Sequence, residues 1–321
     1  MLKPQSACKL VTLLFLAAAT APCGSLTFTS FNIPGDNGQT IARAINDAGQ
    51  IVGACCNALA FPPMDGFLLT GGSSSPITYP GSTVDSANGI NSGGEIVGFY
   101  GNGGALTGFT FNSAVYTSNA VPGSVATNDL GVNDSGQVVG GYTDGGNQTH
   151  GFLLSGGVYT TLDYPGSAYT NAQGINAGGS IVGEYISDQP YHAFLLTGGV
   201  YMNIDFPGSV GGLALGINNL GDIVGSYDLA SNPSEDHGFL LSGGVYTSFD
   251  YPGAVATDPS GINDSGQIVG TYLDAQGSRH GFVATETPEP STLVIALGLI
   301  LCLNPPKRVQ SGSRGMTGRK Q

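Results

Sequence analysis

One block of sequence returns six times along this 321-residue chain. Its centre is Gly-Ile-Asn, a turn and Ile-Val-Gly, as in GINDSGQIVG at Gly261 to Gly270. The asparagine of the block is Asn46, Asn91, Asn133, Asn176, Asn218 and Asn263, so the period runs 45, 42, 43, 42 and 45 residues. From each asparagine to the glycine of Ile-Val-Gly is always 7 residues. A second signature, His-Gly-Phe-Leu-Leu at His150 to Leu154, has its glycine 15 residues before the glycine of an aromatic-Pro-Gly turn. The next asparagine follows 10 residues later. Every insertion falls between Ile-Val-Gly and Gly-Phe, where the spacing is 13, 10, 11, 10 and 13. A constant frame of 32 residues with one elastic stretch per unit is the mark of a repeat architecture.

Each unit resolves into four short strands. The first leads into Gly-Ile-Asn, and the Asn-Asp-Ser-Gly type of turn after it suits a tight hairpin. The second carries Ile-Val-Gly and the third His-Gly-Phe-Leu-Leu. The fourth ends at Pro-Gly, where Pro presets φ and Gly takes φ > 0, as a type II turn requires. Ile268-Val269 and Phe239-Leu240-Leu241 are continuous apolar runs, which implies burial on both faces. Val245, Thr247, Phe249 and Tyr251 alternate with Tyr246, Ser248 and Asp250, the pattern of a partly exposed strand. Residues 27–35 match a fourth strand and its turn, whereas residues 261–285 match the first three strands and stop. The chain begins with what its end lacks. The expected fold is all-β, a six-bladed β-propeller of four-stranded blades closed by an N-terminal strand completing the last blade. An open β-solenoid is the alternative, and it would need capping repeats that the sequence does not display.

The repeat body spans residues 26–285, and its charge restricts what it can bind. It carries 20 acidic side chains against 2 basic ones, Arg43 and Arg279. Nucleic-acid binding needs clustered Lys and Arg to displace counterions, so it is excluded. An anionic membrane surface is equally unsuited to the body. A neutral glycan fits this charge. No cofactor is implied, and a divalent cation such as calcium is electrostatically acceptable. Charged residues are only 10% of the chain and glycines number 53, which favours turns and strands over helices.

The two ends read differently from the body. Lys3 and Lys9 precede the apolar stretch Leu10 to Ala21, which ends in small residues, the layout of a secretory signal peptide over residues 1–21. Cys8, Cys23 and Cys302 fall outside the body, and adjacent Cys55 and Cys56 make no disulfide framework. They offer no metal-ligand spacing either, and both a vicinal disulfide and a pair of buried thiols remain open. In residues 286–321, Pro288, Glu289 and Pro290 precede a short apolar segment, 293–303, and then Lys307-Arg308. This order resembles the PEP-CTERM sorting signal of Gram-negative, exopolysaccharide-producing bacteria. The resemblance implies export, an exosortase-type processing enzyme as partner, and transient membrane anchoring by the apolar segment. The body resembles the HAF family of extracellular repeats. His192-Ala193-Phe194 carries that triplet literally, and His150, His237 and His280 carry its Gly form. That resemblance implies an extracellular setting and no activity.

Recurrent residues are expected to be structural. This covers the six asparagines and the four histidines, His150, His192, His237 and His280, which share one repeat position and are expected to bond the adjacent loop. Asp163, Asp205 and Asp250 share a position before Pro-Gly, where an Asx-turn role is expected. A catalytic residue should break the repeat. The residues that do are Arg43, Glu184, Asp188, Glu235, Asp236 and Arg279. Glu235 and Asp236 lie in a long variable stretch and are the one carboxylate pair a glycoside-cleaving mechanism could draw on. No nucleophile elbow, zinc-protease helix, phosphate loop or EF-hand pattern is present, so no catalytic, cofactor-binding or metal residue is nominated. The expected function is an exported cell-surface or extracellular-matrix binding module. It would contact exopolysaccharide or another surface protein through the variable stretches (residues 54–65, 99–107, 141–150, 184–192, 226–237 and 271–280). A polysaccharide hydrolase or lyase on the same scaffold is the alternative.

Overall fold

The structure, a computed structural model, describes residues 25–55, 65–187 and 190–287. The signal stretch, the motif Pro288, Glu289 and Pro290, and Asp188 lie outside the described residues. All described secondary structure is β-strand, and Leu26–Glu286 is one compact unit. Six inner strands, Ile41–Ile45, Val84–Ile90, Ala126–Val132, Tyr169–Ile175, Gly211–Ile217 and Ala256–Ile262, each start an antiparallel four-stranded blade. Blades three and four are joined into one eight-stranded sheet by a single parallel pairing, Thr149 with Tyr169. The outer strand of the sixth blade is the N-terminal segment Leu26–Phe31, paired with Arg279–Glu286 from Leu26↔Glu286 to Phe31↔Gly281. The expected six-bladed propeller, closed by its own N-terminus, is the observed fold.

The repeated residues explain why each element forms where it does. In all six units the residue after Pro-Gly donates its N–H to the carbonyl three residues back at 3.0–3.1 Å, and the glycine has φ between 80° and 87°. That is a type II turn. The third and fourth strands are joined at Gly71-Gly72, Gly156-Gly157, Gly198-Gly199 and Gly243-Gly244, every one with positive φ. Two successive left-handed residues match the right-handed twist of a hairpin. In the second blade the same turn holds Ser113 at φ 50° and Ala114 at φ 65°, a conformation side chains adopt at a cost.

Packing accounts for the Ile-Val-Gly and Gly-Phe signatures. The valine of the first (Val52, Val97, Val139, Val182, Val224, Val269) and the phenylalanine of the second (Phe67, Phe109, Phe152, Phe194, Phe239, Phe282) are at most 1% exposed. A Cβ on Gly140 would overlap the carbonyl oxygen of Asn128 and press on the Phe152 ring, so this position admits no side chain. The aromatic residue before Pro-Gly stacks on a tyrosine of the next blade. Tyr79–Tyr100, Tyr164–Tyr185, Phe206–Tyr227 and Tyr251–Tyr272 are parallel pairs with centroids 3.6–3.9 Å apart. The fourth strand departs from the alternation read in sequence. Val245 is 63% exposed while Tyr246 packs on the core and donates to Ile204 O at 2.9 Å, because this strand is the blade's outer edge.

The asparagines close the ring. Each Nδ2 donates to the backbone oxygen of the asparagine in the following blade, Asn46 to Asn91, then to Asn133, Asn176, Asn218, Asn263 and back to Asn46, all at 3.0–3.1 Å. The Oδ1 of the same side chain holds its own hairpin, as Asn133 does by accepting from Ser135 N and Gln137 N.

Asn133→Asp keeps both accepted bonds but cannot donate, and it sets a buried charge against two oxygens. We expect it to cost about 3 kcal/mol, as much as Asn133→Ala. That corresponds to a midpoint lower by roughly 10 °C in thermal unfolding, and a wild-type midpoint for the Asp variant would contradict the donor role. Ala114→Gly should relieve the left-handed turn and raise stability by about 1 kcal/mol in the same measurement.

Candidate functional site

Every inner strand carries a β-bulge at the same place, with register shifts at Ala42/Ala44, Ala87/Gly89, Asp129/Gly131, Ala172/Gly174, Ala214/Gly216 and Pro259/Gly261. A bulge leaves one residue unpaired and re-aims its side chain. Here that residue is Arg43, Asn88, Leu130, Gln173, Leu215 or Ser260, and all six line an axial chamber of about 100 Å³. The frame thus repeats while the residues it presents to the axis do not. A ring of Ile45, Ile90, Val132, Ile175, Ile217 and Ile262 separates this chamber from a smaller cavity of about 80 Å³ bounded by the asparagine ring.

Above the chamber, Glu184 sits 5% exposed and is held by Asn171 Nδ2 (2.9 Å), Gln173 Nε2 (2.9 Å) and Tyr169 Oη (3.4 Å). Burial pushes its carboxyl up to about 7, against the pull of those three donors. Arg43 and Arg279, the two cations of the body, are close enough to Asp258 to interact with it electrostatically. Burial and then Asp236 push Asp258 up to about 7. Burial and the same Asp236 push Asp228 up to about 6.

The fifth blade breaks the repeat most sharply. Elsewhere a side chain near the start of the inner strand accepts from the turn of the preceding blade. Thr40, Asp85, Thr127, Thr170 and Thr257 bond the N–H of Ile33, Tyr79, Val121, Tyr164 and Tyr251. Gly212 occupies that position in the fifth blade and has nothing to offer, and Ser209 Oγ is left buried without a partner among the described residues. The space opens into a cavity of about 210 Å³ lined by Pro190, Tyr191, Leu213, Ser226, Tyr227, Asp228 and Asp236, with Gly212 itself. Tyr191 is 42% exposed and lies edge-on to Tyr169 at 5.5 Å.

Glu235 and Asp236 are on a strand, not in a loop. The variable stretch of this blade is an extended hairpin, Ile223–Leu229 with Asn232–Ser242, closed by Leu229↔Asn232. The ladder slips between Tyr227↔His237 and Leu229↔Asn232, so residues 233–236 form a bulge opposite Asp228. Asp236 joins Asp228 and Asp258. The sequence did not single out Asp228, Asp258 or Tyr191, although the glycine at position 212 marked the place.

The histidines lie on the third strands. His150, His192 and His237 bond Asp163, Asp205 and Asp250, which follow the fourth strand, through Nδ1 at 2.9, 2.7 and 3.0 Å, and they pack on Tyr142, Tyr185 and Tyr227. The aspartates therefore serve as histidine partners, in addition to any turn role. In the last blade Asn32, from the N-terminal strand, takes that place against His280 at 2.9 Å. Burial works against the charged form of His150, but Asp163 and Asp144 outweigh it and hold its pKa above the ordinary value. Cys55 is buried and disulfide-bonded, and every other cysteine lies outside the described residues.

No known family model matches the sequence, and no curated protein matches it. Among solved structures, TolB from Acinetobacter baumannii is similar over 80% of this chain and 66% of its own, at 9% identity and a TM-score of 0.49. The lectin of Aleuria aurantia, described as a six-bladed β-propeller with a fucose recognition mode, is similar over 79% of this chain and 96% of its own, at 14% identity and 0.47. A mutant of AofleA from Arthrobotrys oligospora covers 82% and 84%, at 11% identity and 0.45. The fold assignment rests on the strand pairing, not on these likenesses.

Raised carboxyl pKa values set the sign of the pH dependence. Glu184, Asp258 and Asp228 bind protons more tightly when folded, so their stabilisation is full below the unfolded value near 4 and is lost as pH rises through about 6 to 7. We expect the unfolding midpoint to fall between pH 5 and pH 8, with Glu184→Gln flattening the slope. A midpoint that climbs over this range would contradict the assignment.

Proposed function

We propose that this chain is an exported binding module that takes a neutral saccharide in the cavity between its fourth and fifth blades. One observation carries this reading: Gly212, Asp228 and Asp236, which depart from the repeat, meet at that cavity, at the end of the propeller where all insertions fall. An exposed tyrosine supplies a flat apolar face, and carboxylates with a serine supply acceptors and donors for hydroxyls. The acidic body disfavours polyanions and tolerates a neutral sugar. The terminal segments support an extracellular address, with an exosortase-type enzyme acting near Pro288-Glu289-Pro290. An exopolysaccharide, or a glycan on another surface protein, is the partner this setting suggests.

The alternative is a hydrolase or lyase using Asp228 and Asp236. These two carboxyls lie side by side at the cavity, close enough for Asp236 to raise the pKa of Asp228. Retaining and inverting glycosidases keep theirs roughly 5 Å or more apart, so the pair suits binding better than glycoside cleavage.

A glycan-array screen of the full chain should return neutral oligosaccharides. Tyr191→Ala, at an exposed position, should weaken the best of them about tenfold, or roughly 1.4 kcal/mol, without moving the unfolding midpoint. Asp228→Asn should weaken it comparably. Unchanged binding in both variants would refute the site, and release of new reducing ends from the bound glycan would favour the hydrolase.

A further inference from the structure

The axial chamber has a chemistry of its own. Its polar side chains are engaged internally, apart from one. Asn88 donates to Asp129 O and accepts from Ser86 Oγ, Gln173 donates to Glu184, and Ser260 Oγ donates to Ala42 O. Leu130 and Leu215 are apolar, and the Ile/Val ring closes the floor. Arg43 is the exception. Its side chain is half-buried and lines the chamber. The Nε is buried with no hydrogen-bond partner, and among the described residues no carboxylate lies within ion-pair distance of the group. A buried donor left unpaired is costly, and the bulge found in all six strands aims this side chain at the axis.

We propose that the axial chamber binds a small carboxylate, seated on the fork of Arg43. The planar guanidinium matches a carboxylate with two parallel N–H···O bonds, which a spherical anion cannot accept. A volume of about 100 Å³ admits the carboxylate and little more than its first substituent. Asp258, the carboxyl that acts electrostatically on Arg43, is pushed up to about 7 and so is partly neutral near that pH. The occupant is a free small acid or the pendant carboxylate of an acidic sugar, and the chamber recognises the chemistry the two share. This site is separate from the cavity between blades four and five and does not depend on the saccharide reading.

The test is a titration of the full chain at pH 7 with sodium acetate, against sodium chloride at equal ionic strength. Thermal unfolding and the arginine Nε–H resonances in NMR report the result. Acetate should raise the midpoint saturably and move one arginine Nε–H resonance, and chloride should do neither. Arg43→Gln should abolish the response, and Arg43→Lys, which keeps the charge but loses the fork, should weaken binding at least tenfold. Sodium glucuronate distinguishes the source: binding tighter than acetate assigns the pendant carboxylate, and binding of acetate alone assigns a free acid. Equal effects of chloride and acetate, or a response retained in Arg43→Gln, would overturn the proposal. Should Arg43→Gln fail to fold, a wild-type spectrum in which acetate moves no arginine Nε–H resonance overturns it equally.

Discussion

Six asparagine side chains, each donating to the backbone of the next blade, form the constraint on which the molecule depends. The bond is directional and its acceptor is another asparagine's own carbonyl, so the geometry at one blade sets the geometry at the next. Six equal steps return to the start. A seventh unit or a missing one would leave a buried amide and a buried carbonyl without partners, at about 1–3 kcal/mol each. The same side chain also holds its own hairpin through Oδ1, which couples the turn inside a blade to the contact between blades. This accounts for the invariant spacing on either side of the asparagine.

Around that ring the blades must approach closely. Gly131 faces the Gly174 Cα, and Gly216 faces the Gly261 Cα, at distances a Cβ would close to about 3 Å. The bulge beside each of these positions turns one side chain toward the axis. Rigid repetition at the frame thus coexists with free choice at the residue presented, and the chain has used that choice to place its two leucines, two amides, one serine and one arginine. Farther out, stacked aromatic pairs and His-Asp contacts join neighbouring strands. They repeat because the interfaces repeat, and their recurrence argues for support of the frame.

Charge is distributed with the same logic. A body this acidic gains nothing from ionising carboxylates away from water, and Glu184, Asp228 and Asp258 hold their protons toward neutrality. Asp129 goes further. It is wholly buried where other blades have Ala or Pro, and Asn119, in a slot that is otherwise apolar, donates to it at 2.6 Å. Burial drives its carboxyl well above the ordinary range. This departure from the repeat is a compensating pair, Asn119 with Asp129. The opening at Gly212 differs because nothing fills it.

The repeat determined, from sequence alone, the blade count, the four strands, the turn types and the closure by residues 27–35. These follow from local rules, since a turn needs particular backbone angles and a buried strand needs particular residues, and both are written in consecutive positions. The asparagines and histidines were legible as structural for the same reason, although their partners were not. What the tertiary structure alone decided was which distant residues meet. Glu235 and Asp236 are neighbours in sequence, yet the carboxyls that Asp236 acts on belong to Asp228 and Asp258. Asp228, Asp236 and Asp258 are spread over thirty-one positions and converge. Arg43 belongs to the first blade and answers to Asp258 of the last, a proximity that exists only because the ring closes.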